Sequence, residues 1–155
     1  MSAVTPVIPP ALQGVYDVWH FAPAVVHNGL IYCSGMIGTS PDGEPIAGND
    51  FAGARRTLET EGATLAAVVA IRDPAAQFAA AFEGIAAVLA HAGATLADVI
   101  EMTTYHVDIH THMATFMAVK DRYIVPPYPA WTAIGVSALA IPGGLLELKV
   151  IAAAP

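Results

Sequence analysis

The clearest apolar periodicity in the chain lies between residues 74 and 91. Phe78, Phe82, Ile85 and Leu89 recur at three- or four-residue spacing, the stripe of an amphipathic helix. Asp73 stands at the N-cap position, Pro74 at the first helical position, Gln77 at the fourth, and Gly93 just past the end. These are the start and stop signals of a helix over about 74–91. A period of two replaces this pattern elsewhere. "AVVHNGLIYCSG" reads as two short strands around His27-Asn28-Gly29, because Asn-Gly marks a tight hairpin. "DVIEMTTYHVD" has the β-branched and aromatic content of a strand over 99–107, and a second helix is predicted over about 112–124 with Thr111 as its cap. "AWTAIGVSAL" and "LLELKVIAAA" are two closing strand runs joined by the "IPGG" turn.

Two regions are less regular. Residues 1–21 are Pro-rich and irregular, with "YDVWHF" reading as a short edge strand. Within 49–73, "FAGARRTLETEG" has the form of a helical turn with Arg55 and Glu59 paired at i, i+4. "TLAAVVAI" fits a strand or a buried helix equally, since a short apolar run does not discriminate. The order of hairpin, helix, strand, helix, strand, strand predicts one α+β domain over 1–155, a mixed sheet with two helices on one face. The opposite face has no helix to cover it.

Composition sharpens that point. The chain is 155 residues long, 55% hydrophobic and only 12% charged, with a mean hydropathy of +0.57. So little charge predicts apolar area buried between subunits. No apolar run reaches the length of a bilayer span, and "MSAVTPVIPP" lacks the pattern of a signal peptide. Cys33 is the one cysteine, which excludes an internal disulfide and fits a reducing cytoplasm. A formal charge of −7 with six scattered basic residues argues against a nucleic-acid groove.

Several side chains carry candidate chemistry. Glu147 interrupts an apolar strand, and alternation places it on one face with Leu145 and Lys149. Such a carboxylate is either half-buried with a raised pKa, suited to general acid/base work, or an exposed partner of Lys149. Trp131 follows the stiff "PPYP" approach and is either a core anchor or an aromatic wall of a site. His106, His110 and His112, with Asp108 between them, have no enforced convergence on a metal and read as loop histidines, so no metal is assigned. His106 alone interrupts a strand, as a proton shuttle or as a core histidine satisfied by one hydrogen bond. Ser34 lacks the context of a nucleophile elbow and reads as cleft lining. Cys33, one residue away, is destined for inert burial. The glycines of "GMIG" and "PGG" read as turn glycines and not as phosphate loops.

Several of these segments, taken in order, resemble the Rid family of reactive intermediate deaminases, also called the YjgF family. The resemblance covers roughly residues 22–152 and rests on "GLIYCSGMIG", on "QFAAAFEGIAAVLAHAGATLADVIEMTTY" and on "PAWTAIGVSALAIPGGLLELKVIA". It implies a chorismate-mutase-like fold, a homotrimer with a central barrel, and sites in clefts between subunits. The implied activity is cofactor-free hydrolysis of imines and enamines to a carbonyl compound and ammonia. By the same resemblance, Glu147 would handle water and protons, and Ser34 and Gly35 would line the cleft. The family's asparagine on the second helix corresponds to Lys120, and its tyrosine before the first strand is absent near Phe21 and Ala22. Its substrate-carboxylate arginine corresponds to Trp131. Against that pattern, residues 49–73 read as an insertion. Loss of a bidentate carboxylate clamp predicts a relative that is not a standard 2-imino-acid deaminase. The expected partners are therefore a small-molecule substrate and two further copies of the chain, without nucleic acid or membrane. The alternative is a non-catalytic trimer that binds a metabolite; an endoribonuclease role fits the acidic balance poorly.

Overall fold

The computed structural model of the chain describes residues 3–47 and 50–155. Six strands form one sheet in the order β1 (Thr5–Val7), β2 (Ala24–His27), β3 (Leu30–Cys33), β6 (Leu146–Ala153), β4 (Val99–His106), β5 (Ala130–Gly135). The last strand in sequence thus lies at the middle of the sheet, antiparallel to both neighbours. Only β4 and β5 run parallel, and the crossover between them is helix α4 (Ile109–Tyr123), as parallel pairing demands.

Two helices pack on one face, α4 and the longer α3 (Pro74–His91). α3 has the predicted bounds because its ends are chemically marked: the Asp73 side chain accepts from the Ala76 N–H at 2.8 Å, and Gly93 takes the positive φ of a helix exit. Phe78, Phe82, Ile85 and Leu89 are fully buried under it, against Leu146, Leu148, Val150 and Ala152 of β6. Phe116 of α4 closes this core, with its ring 6.0 Å from Phe78 and 6.1 Å from Phe82. Each such ring contributes roughly 1.5–3 kcal/mol on burial. The α+β class is that expected from the sequence.

Four local expectations are corrected. Of the segment 1–21, residues 3–21 are described and are not irregular: they hold β1 and a seven-residue helix, α1 (Gln13–Trp19), so "YDVWHF" is largely helical and the edge strand lies earlier. α4 begins before Thr111, because Asp108 adopts a φ of +52° and reverses the chain directly out of β4. Thr111 sits inside the first turn. Arg55, on the short helix α2 (Ala52–Leu58), meets Asp50 at 3.6 Å and not Glu59. Finally, "TLAAVVAI" is neither strand nor helix but a single 3-10 turn at Leu65–Ala67 followed by one bridge, Thr39 to Ala70.

The opposite face of the sheet carries no helix among the described residues. It presents Tyr32, Tyr105 and Ile134 beside Glu147 and Lys149, and every residue of the edge strand β5 is exposed. Such an open edge with unpaired backbone groups is ordinarily covered.

Candidate functional site

Gly35 and Glu147 are brought together by a fault in the sheet. β3 and β6 pair as far as Tyr32↔Ile151 and meet again at Met36↔Leu148. Three residues, Cys33 to Gly35, therefore oppose two, Lys149 and Val150, which is a β-bulge of the kind that re-aims chains beside sites. Met36 N–H donates to Leu148 O at 2.8 Å and Leu148 N–H returns the bond at 2.9 Å. That ladder fixes Gly35 against the Glu147 side chain. A Cβ on residue 35 would lie 2.1 Å from Glu147 Oε1, so only glycine admits the carboxylate there. Gly38 is a second close approach, where a Cβ would come within 2.0 Å of Gln77 O. Neither has a positive φ. The glycines of "GMIG" are therefore approach glycines, not turn glycines.

Glu147 is half-buried, and among the described residues no cation pairs with it; the ion pairs are Arg55–Asp50, Arg72–Glu44 and Lys120–Asp121. Lys149 lines the same groove without reaching it. Burial without a compensating charge raises the Glu147 pKa above the ordinary carboxylate value. The groove, about 420 Å³, is also walled by Tyr105, Val136 and Leu139.

Ser34 is oriented differently from a substrate ligand. Its hydroxyl donates to Ala22 O at 2.6 Å and its N–H to Pro23 O at 2.9 Å. It ties the segment before β2 to the bulge and so holds Gly35 in place. Cys33 is buried, and burial pushes its thiol up to about 12, which leaves it inert at neutral pH.

Trp131 and Lys120 form a separate cluster on the helix-covered face. Trp131 pairs in register with Met102, whereas Glu147 pairs with Tyr105, and these two β4 positions point to opposite faces. The Trp131 N–H donates to Thr104 Oγ1 at 2.9 Å, and its ring lies 5.8 Å from Phe116. Lys120 is 7% exposed, and its ammonium sits 5.4 Å over the Trp131 ring and 5.9 Å from that of Tyr128, bonded to Asp121 Oδ1 at 2.8 Å. The two residues that resemblance set at the family's arginine and asparagine positions do meet. The groove they share, about 300 Å³, opens beside Tyr128 and Pro129. One chain does not bring them to Glu147.

His106 belongs to the same face as Trp131. It is buried, with Nε2 2.7 Å from Thr104 Oγ1 and its ring edge-on to Phe116 at 4.8 Å. Thr104 accepts from Trp131, so its single proton is available to His106 Nε2, which favours a neutral ring. Burial lowers the His106 pKa below its ordinary value. A depressed histidine contributes stability that is present above about pH 6.5 and lost as pH falls through the folded value. His106→Asn should therefore flatten the loss of stability between pH 7 and 5, followed by urea unfolding; an unchanged slope would assign the loss to other groups. His110 is exposed and His112 lies edge-on to Phe78. The three histidines do not converge, and no group of three or more His, Cys, Asp or Glu is disposed around a common metal position among the described residues.

One residue emerges that the sequence marks only as part of a helix start. Gln77 is 1% exposed. Its Nε2 donates to Ile71 O at 2.8 Å and Gly143 O at 3.1 Å, while its Oε1 accepts from Leu145 N–H at 2.7 Å and Leu146 N–H at 3.3 Å. It thereby anchors the start of β6, one residue before Glu147. A glutamine on the apolar stripe side of an amphipathic helix was the available signal.

Comparison with known proteins agrees with this architecture. A family described as Endoribonuclease L-PSP matches residues 67–154. The chain is 32% identical over 152 residues to the RutC family protein YjgH of Escherichia coli (strain K12), covering 97% of this chain and 95% of that protein. Among solved structures, one described as protein YJGH superposes with a TM-score of 0.72 at 31% identity, over 97% of this chain and 96% of that one. RidA from an Antarctic Psychrobacter species superposes with a TM-score of 0.63 at 26% identity, over 88% and 89% of the two chains. No helix among the described residues is long and apolar enough to cross a membrane. A bulged strand that seats a glycine on a half-buried carboxylate, in a sheet of this order, thus accompanies a sequence match over most of the chain: the protein belongs to the endoribonuclease L-PSP family, the Rid or YjgF family.

Proposed function

We propose that this protein is a cofactor-independent hydrolase of neutral imines or enamines, acting as a homotrimer in the cytoplasm. The observation that carries the reading is the Glu147 carboxylate, half-buried, unpaired and seated on Gly35. Such a group exchanges protons near neutral pH more readily than an exposed glutamate. As base it takes a proton from water while the oxygen adds to the C=N carbon and the π pair moves to nitrogen. It then returns the proton to nitrogen, giving the carbinolamine; next it takes the hydroxyl proton and passes it to nitrogen, so that the C=O bond forms as the C–N bond breaks and nitrogen departs as ammonia. The products are a carbonyl compound and ammonia. An enamine needs one earlier proton transfer to carbon.

The homotrimer reading rests on the exposed edge strand β5 and the helix-free sheet face. It would set the Trp131–Lys120 cluster of one chain opposite the Glu147 groove of the next. A neutral substrate is favoured because, by the resemblance, Trp131 stands at the position of the family's arginine, and Lys120 already has Asp121 as its counter-charge. An overall charge of −7 disfavours RNA as substrate.

The test is ammonia release from neutral imines generated in situ from primary amines by an amine oxidase, beside 2-imino acids generated by an amino-acid oxidase. Acceleration of at least tenfold over buffer is expected for the neutral imines and less for the 2-imino acids, with Trp131→Arg reversing the order. The rate should rise with pH along a limb centred above the ordinary glutamate value of about 4.3. If neither substrate class outpaces buffer while light scattering shows three times the 16.0 kDa chain mass, the hydrolase reading fails.

A further inference from the structure

Behind the bulge lies a cavity that the hydrolytic chemistry does not use. It holds about 90 Å³ and is lined mainly by apolar side chains: Val15 and Trp19 of α1, Phe51 and Ala54 at the start of α2, and Leu65 and Val68 beyond it. Trp19 and Ser34 border it but direct their donors to backbone carbonyls, Trp19 Nε1 to Ala63 O at 3.0 Å and Ser34 Oγ to Ala22 O. Little is left to hold water, and apolar cavities of this kind take hydrocarbon groups in preference. The cavity meets solvent at two exposed lining residues, Phe21 and Gly35. Gly35 is the residue on which the Glu147 carboxylate rests, and it lines the Glu147 groove as well. The apolar chamber and the carboxylate groove therefore share one wall, a single residue without a side chain.

We infer that this cavity is the specificity pocket of the Glu147 site, and that it takes a short apolar tail on the substrate. The inference rests on the placement of the site proposed above. At about 30 Å³ per water-sized group, the cavity of about 90 Å³ has room for about three carbon or other heavy atoms. That matches a propyl group, or the branched end of an isobutyl group whose first carbon stays at the Gly35 wall; an indole is too large. The substrate class is then a neutral C–N compound with a three- or four-carbon aliphatic chain. The pocket's walls come from α1 and the 51–68 segment, which are tied together by the Trp19–Ala63 hydrogen bond. This gives that segment a role: it sets the length of the chain that fits.

Primary amides test this without requiring turnover, since they carry the same tail beside a neutral C–N group. Binding of acetamide, butyramide, isovaleramide and indole-3-acetamide would be followed by methyl NMR shifts of Val15, Leu65, Val68 and Ile141 and by Trp19 fluorescence. Isovaleramide should bind at least about tenfold more tightly than acetamide, and indole-3-acetamide should gain nothing over acetamide. Ala54→Leu, which fills the chamber, should bring isovaleramide down to the acetamide level. Val68→Ala, which enlarges it, should move the preference to a longer chain and keeps the inference testable if Ala54→Leu does not fold. Equal affinities along the series, or discrimination unaffected by either variant, would overturn the pocket. Selective binding without ammonia release would instead sink the hydrolase reading and leave the pocket standing.

Discussion

Glu147→Gln should lower ammonia release from a neutral imine by at least about 100-fold, within the range supplied by a positioned acid or base. The amide keeps the shape of the side chain and its capacity to accept a hydrogen bond but cannot carry a proton. Binding of a neutral amide should accordingly survive while turnover does not. The same substitution should leave stability unchanged or raise it at pH 7. The folded pKa of Glu147 is raised by burial, so its contribution to stability is fully present below about pH 4.3 and is lost as pH rises through the folded value. An uncharged side chain removes that loss, and the two proteins should converge in acid. Gly35→Ala offers a second route to the same outcome. Its new Cβ, 2.1 Å from the Glu147 oxygen, must displace the carboxylate, with loss of rate in a protein that still folds. If Glu147→Gln retains turnover within threefold of wild type, the base lies elsewhere and Glu147 is not the proton-transfer group.

Gln77→Leu should destabilise the fold by about 3–5 kcal/mol. The substitution conserves volume closely yet leaves the carbonyls of Ile71 and Gly143 and the N–H groups of Leu145 and Leu146 without their partner. Each buried backbone group so stranded costs roughly 1–3 kcal/mol, tempered by water reaching the partly exposed ones. A fall in the urea midpoint with an unchanged m value is the expected signature. A loss under 1 kcal/mol would mean that the loop before β6 is held by other contacts. Because Gln77 fixes the residues leading into Glu147, folded Gln77→Leu protein should also be slower in turnover without a change in the pH limb of the rate. That separates a positioning role from a catalytic one.

The two predictions depend on features of different legibility. Glu147 was marked in the sequence by alternation alone: Leu146, Leu148 and Val150 are buried and Glu147 and Lys149 turn the other way, as period two requires. That its partner is a glycine, and not Lys149, was not marked. The contact crosses 112 residues of chain, Gly35 to Glu147, and arises from a one-residue slip in register that no local pattern encodes. Trp131 shows the same division. Its place at the start of a strand was readable from the proline run, but its side of the sheet follows from the parallel pairing of β5 with β4. That pairing sets it with Lys120, Thr104 and His106, away from Glu147.

The sequence by itself determined the elements whose signals are local. Asp73 and Pro74 started α3, and Asn28 and Gly29 turned the hairpin with both residues at positive φ. Its failures were also local. α1 was missed because a proline-rich approach hid a helix only two turns long, and "TLAAVVAI" buries Val68 and Ala70 against Ile37 and Ile141, residues distant in sequence, while Val69 stays exposed. The tertiary structure alone decided the insertion of β6 between β3 and β4, the seating of Glu147 on Gly35, and the chamber beneath α1 and α2. Hydrogen-bond caps and turns depend on residues a few positions apart, and they leave a mark in the sequence. Burial, register and close backbone approach depend on segments that only folding brings together.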